Sequence, residues 1–190
     1  VGDGDRRPQG FSTRWGTAMK FRTITLPYGT RCRVPEHIQR IDSHSTHGWQ
    51  LRYGTPTRFF SDRSHDNKGA RAALALAIVE LRARVKKLPA PTGLQKRVSA
   101  HKQNDLPVGI SGPILRQRRG SSVQECSFSV NLPRFGQKPL RRSVYIASKN
   151  TYTKERYEKA LNTAIELRKA AEEEYQKEAT AAKRKSMAKL

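Results

Sequence analysis

The sequence predicts an α+β protein of two tandem modules, each a three-stranded antiparallel sheet backed by one C-terminal helix. Two observations carry this. The hexapeptide Ala77-Ile-Val-Glu-Leu-Arg82 recurs as Thr163-Ala-Ile-Glu-Leu-Arg168, each copy late in a segment of helical periodicity. Upstream of each copy lie short segments of period-two alternation, separated by turn residues. The expected organisation is a flexible extension over 1–18, a first module over 19–88, a linker over 89–106, a second module over 107–176 and a basic tail over 177–190.

The elements follow in order. Met19-Lys-Phe-Arg-Thr-Ile-Thr-Leu26 alternates and opens the ordered body. Ile38–Ser43, Trp49–Tyr53 and Arg58–Asp62 read as three strands, the last two joined by a Gly54-Thr-Pro56 turn. A helix begins near Asn67, a residue suited to an N-cap, and lines up Ala70, Leu74, Ala77, Ile78, Leu81 and Val85 at spacings of three and four. The two prolines of Leu88-Pro-Ala-Pro-Thr-Gly-Leu94 end it, and the polar stretch 95–105 completes a linker. Ile114–Arg119, Cys126–Leu132 and Arg141–Ala147 are the second set of strands. In the middle one, Cys126, Phe128, Val130 and Leu132 share one face while Ser127, Ser129 and Asn131 share the other. A second helix starts after Thr153, with Glu155 and Glu158 near the positive end of its dipole and Tyr157, Ala160, Leu161, Ala164, Ile165 and Ala171 along one stripe. From about Gln176 the chain is rich in Ala and Lys, as in a fraying helix end or a basic tail.

Charge points to the partner. The 190 residues carry 38 Lys+Arg against 16 Asp+Glu, a formal net charge of +22. Such a surplus suits a polyanion, because neutralising phosphates releases counterions and relieves self-repulsion. Double-stranded DNA is the first expectation and RNA the second. Residues 111–150 hold eight cations against one acid, whereas 153–175 hold five against six, so the second sheet rather than its helix is expected to bind. No apolar run approaches a bilayer-spanning length, and Cys32 and Cys126 follow no metal or disulfide spacing, which fits a cytoplasmic, nucleoid-associated protein without membrane contact. Two internal modules favour a monomer.

A three-stranded antiparallel sheet backed by one helix, with a basic outer face and about sixty residues per unit, resembles the apetala/ethylene-response-factor (ERF) type DNA-binding domain, here in a bacterial or phage tandem form. The resemblance lies in Ile114-Leu-Arg-Gln-Arg118, similar to that family's first strand, and in Gln50 and Arg52 alternating with Trp49, Leu51 and Tyr53 as in its second. Arg58 and Phe60, with Ser143 and Tyr145 in the second unit, are similar to the outward positions of its third strand. Ser129 and Asn131 stand where the family usually has charged residues, and Asp62 and Ala147 replace the glycine after the third strand. The resemblance implies major-groove recognition by the sheet and a role in transcription regulation.

On that reading Arg52, Arg58, Arg116 and Arg118 address base edges or phosphates, since a guanidinium fork engages guanine O6 and N7 together. Phe60 and Tyr145 are placed on thymine methyls or sugar. Arg134, Lys138 and Arg142 contact phosphate, and Arg141 substitutes for the missing third-strand arginine. Arg40, Gln50, Arg119, Ser129 and Asn131 complete the candidate surface. No catalytic residues, cofactor or metal are expected: His44-x-x-His47 lacks an acid or cysteine at usable spacing.

Overall fold

A computed structural model of the chain describes residues 19–26, 29–62, 67–98, 102, 104–117, 120 and 122–188. The extension expected over 1–18 lies outside them. The architecture is α+β, with three small antiparallel sheets and two helices. In chain order the elements are β1 (Phe21–Thr25), β2 (Arg31–Pro35), β3 (Ile38–Asp42), β4 (His47–Leu51), β5 (Arg58–Ser61), α1 (Asn67–Lys87), β6 (Ile110–Gln117), β7 (Gln124–Leu132), β8 (Leu140–Ser148) and α2 (Lys154–Met187). Strands β3-β4-β5 and β6-β7-β8 form two three-stranded sheets, and β1-β2 forms a separate hairpin.

That hairpin corrects the expected first unit of three strands and a helix. The alternation from Met19 is a strand whose partner, Arg31–Pro35, alternates charged and apolar residues. Leu26, Cys32 and Val34 enter the first core, which α1 closes with Ala70, Ala73, Leu74, Ala77, Leu81 and Val85 against Ile38, Trp49, Leu51 and Tyr53. Alanines along α1 let the helix lie close to the sheet. The indole Nε1 of buried Trp49 donates to the Ala70 carbonyl at 2.8 Å. On the other side of β4, a side chain at Gly48 has no room: its Cβ would lie 2.3 Å from the Phe60 carbonyl oxygen and 2.6 Å from the Phe59 ring.

The second core gathers Ile110, Cys126, Phe128, Val130, Ile146 and Ala147 against Ala160 and Ala164 of α2. Phe128 meets Tyr157 edge-on at 5.1 Å. Thr153 caps α2, its side chain accepting from the Arg156 amide at 3.3 Å. A register shift opposite Cys126/Ser127 inserts Ile146, so that Ile146 and Ala147 are both buried. Ile165, expected on the apolar stripe, is exposed instead.

α2 does not stop near Gln176. It runs 34 residues to Met187, through the segment expected to be a tail, and its last turns pack on the first core. Met187 is buried there at 7% exposure. The Met19 amide donates to Ser186 Oγ at 2.9 Å, Arg184 Nε donates to the Val85 carbonyl, and Lys183 pairs with Glu36. The linker is docked as well. The Ala90 amide donates to Thr180 Oγ1 at 3.1 Å, and its carbonyl accepts from Gln176 at 2.8 Å. Lys102 Nζ donates to the carbonyls of Leu106, Pro107 and Ile110. The second helix is therefore a strut between the two halves, where a linker over 89–106 and a basic tail over 177–190 were expected.

Candidate nucleic-acid interface

Pairing register decides which side chains face away from each helix, because successive residues of a strand alternate between faces. In the β6-β7-β8 sheet the outward positions form four rows. Asn131 stands opposite Arg141, Ser129 lies between Ser111 and Ser143, Ser127 lies between Ile114 and Tyr145, and Glu125 lies between Arg116 and Ser148. Gly112, at φ 136°, makes the register shift between Ser111 and Ile114 that brings Ile114 into its row. A Cβ at Gly112 would press on the Ser127 carbonyl at 3.0 Å.

This face has a definite chemistry. Exposed arginines stand at two ends, Arg116 beside Glu125 and Arg141 beside Asn131, and small hydroxyls pave the middle. Side chains this short leave the surface open to close approach, with donors and acceptors distributed along it. Tyr145 is 56% exposed and stands above the serines. Ser129, Asn131, Arg141, Tyr145 and Arg116, all expected in the interface, are thus brought together.

The other cations of this half lie elsewhere. Arg134 spends Nε and Nη2 on the Lys138 carbonyl, at 3.0 and 2.9 Å, and so shapes the β7–β8 turn rather than presenting a fork to a ligand. Lys138 is exposed in that turn. Arg142 pairs across from Val130 and therefore emerges on the helix side of the edge strand, although it is exposed. Arg118 and Arg119 lie outside the described residues. Among the described residues, the face is consequently less basic than the charge count of its sequence segment implies.

The β3-β4-β5 sheet departs further from expectation. Its outward rows are Gln39-Gln50-Phe59 and Ile41-Gly48-Ser61, with Arg52 just beyond β4 and its Nε donating to Gln50 Oε1 at 2.8 Å. Gln50 and Arg52 are outward as expected. Arg58 and Phe60 are not, because Arg58 pairs with buried Leu51 and Phe60 with buried Trp49. Phe60 packs against the first core, while Arg58 reaches over its ring at 5.2 Å towards Glu80 of α1 at 3.3 Å. The outward aromatic is Phe59, which the sequence reading passed over for its neighbour. Two adjacent phenylalanines carry no periodicity; Gly48, which makes room for the Phe59 ring, is the signal that distinguishes them.

Arg40 is also withdrawn from the interface. Its side chain is 9% exposed, and the guanidinium binds Asp62 at 2.6 and 2.8 Å and Asp42 at 2.7 and 2.9 Å and lies 5.1 Å from the Trp49 ring centre. Burial opposes its charge, yet the hydrogen bonds it donates to Asp62 and Asp42 outweigh this and hold its pKa above the usual arginine value. Asp42 in turn is held below the usual carboxylate range by its hydrogen bond with Arg40. Arg40 is the counter-charge of buried Asp62, and this accounts for an acid at that buried position.

His47 of the His44-x-x-His47 pair has its Nδ1 3.1 Å from Asp42 Oδ1. Among the described residues no group of three His, Cys, Asp or Glu converges as metal ligands would. Nor is any described helix long and apolar enough to cross a membrane. Comparison of the chain with family models, curated proteins and solved structures returned no match.

Proposed function

We propose that the protein is a non-enzymatic, sequence-reading duplex-DNA-binding protein that regulates transcription, with the outer face of β6-β7-β8 as its principal reading surface. One observation carries the reading: a sheet closed by a helix on one side presents Arg116, Asn131, Arg141 and a paved row of serines on the other. A sheet face of this kind suits the major groove, where Arg and Asn side chains distinguish guanine and adenine edges. The net charge of +22 supplies the sequence-independent part of the affinity. The β3-β4-β5 sheet, with Gln50 and Arg52 outward, adds a smaller second surface of the ERF-like kind. The strut of α2 supports treating the two as one binding unit.

Selection from a randomised duplex pool at about 150 mM salt, followed by sequencing of the retained molecules, tests this. A motif whose enrichment falls on Arg141→Ala or Asn131→Ala is the expected result. Retention without a motif, unchanged in these variants, refutes sequence reading and makes the protein a backbone-binding nucleoid or RNA-associated protein. One observation favours that second reading: each outer face carries one exposed aromatic, Phe59 and Tyr145, the residue type on which unpaired bases stack. Preference for single strands, lost on Phe59→Ala or Tyr145→Ala, is its signature.

A further inference from the structure

Among the described residues the β1–β2 hairpin has no counterpart in the second half, and burying Cys32 and Val34 explains only one of its faces. Its register places Thr23 opposite Arg33 and Thr25 opposite Arg31 on the face turned away from the core. All four are exposed. Residues 19–35 contain four cations and no acid. The adjoining acid, Glu36, is occupied by Lys183.

The contrast with other arginines is instructive. Arg40, Arg58, Arg84 and Arg168 each face a carboxylate, whereas among the described residues neither Arg31 nor Arg33 forms an ion pair. Arg33 is instead laid over the Phe21 ring at 4.3 Å, which steadies the guanidinium while the residue stays exposed. Paired guanidinium and hydroxyl donors on a ribbon anchored by its buried side are phosphate ligands that need little ordering on binding.

We propose that this hairpin face is a further contact surface, which grips the phosphodiester backbone of duplex DNA without reading sequence. The proposal rests on the DNA reading above and adds to it a positioning element outside both three-stranded sheets.

The test uses the full chain and duplex DNA over a series of salt concentrations, comparing three double variants that each remove two positive charges. These are Arg31→Gln with Arg33→Gln, Arg116→Gln with Arg141→Gln, and, on the exposed side of α1, Arg82→Gln with Lys86→Gln. The hairpin variant is expected to weaken binding about 30-fold at 150 mM salt, equally on selected and scrambled duplexes, and to lower the salt slope by about 1.8, the value for two lost phosphate contacts. Unchanged melting temperature confirms that folding is intact. Equal losses in the hairpin and α1 variants overturn the proposal, since net charge alone then explains the effect. Wild-type affinity in the hairpin variant, with weakening only in the Arg116/Arg141 variant, also overturns it and leaves the DNA reading standing. Failure of the unaltered chain to bind duplex DNA, or binding confined to RNA, overturns both.

Discussion

Removing residues 177–190 tests the role of α2 most directly, because a first half independent of α2 would be indifferent to the loss. The deletion takes away the buried Met187 side chain, worth about 2 kcal/mol by its apolar area. It also takes the partners of the Met19 and Ala90 amides and of the Val85 carbonyl, each about 1 kcal/mol. The helical turns themselves are close to neutral, since propagation roughly offsets their ordering entropy. The first half therefore stands to lose about 4 to 5 kcal/mol, a large share of the 5 to 15 kcal/mol typical of a whole domain. Urea unfolding followed by Trp49 fluorescence reports on this core, with Trp15 replaced by Phe to leave one tryptophan. The expected outcome is a first-half transition shifted to much lower urea, while the second half, monitored by circular dichroism, unfolds later. Met187→Asp in the full chain is expected to reproduce most of the shift. A truncated chain with the midpoint of the full one refutes the strut.

Three further outcomes are expected. Arg40→Gln strands the buried Asp62 carboxylate and costs about 3 to 5 kcal/mol in urea unfolding, yet leaves duplex affinity unchanged under conditions where the variant is folded; a selective loss of affinity contradicts its inward placement. Gly48→Ala drives a methyl into the β5 backbone and lowers the melting temperature by at least several degrees, whereas a neutral result shows that the strand pair yields. Burial, reinforced by Lys183 and opposed by Glu36, pushes His37 below its ordinary pKa of 6.5, so on acidification the unfolded chain takes the proton first. The stability this residue gives is complete above that pH and lost as pH falls through the folded value. His37→Asn, which tolerates the residue's φ of 71°, is expected to flatten the melting-temperature profile between pH 7 and 5; an unchanged profile assigns the acid sensitivity elsewhere.

The strands of both three-stranded sheets were legible because their apolar residues alternate and their turns carry Gly and Pro. The stripe from Ala70 to Val85 was legible as a helix for the same reason in its own period. The hairpin was only half visible: the alternation from Met19 was plain, but its neighbour Arg31–Pro35 alternates over only five residues, too short a run to stand out as a strand. The length of α2 was hidden by composition, since Ala179 carries too little apolar signal to mark a buried helix face. The candidate site failed where a single register step mattered. Arg58 and Phe60 were set outward by family resemblance, and pairing with Leu51 and Trp49 turns both to the helix side, where Arg58 stays exposed. In the second sheet the serines, Arg141 and Tyr145 share parity in the sequence itself, and the pairing register sets them on one face.

The meeting of Met19 with Ser186, 167 positions apart, also bears on how the molecule comes into being. Synthesis delivers β1 to α1 well before the closing turns of α2, so the earlier half emerges with part of its apolar core uncovered. It must wait through the making of the entire second sheet before Lys183, Arg184 and Met187 arrive to seal it. Contacts of such long separation are slow to form, and the half-covered nascent chain is the stage at which this protein is most in need of protection from aggregation.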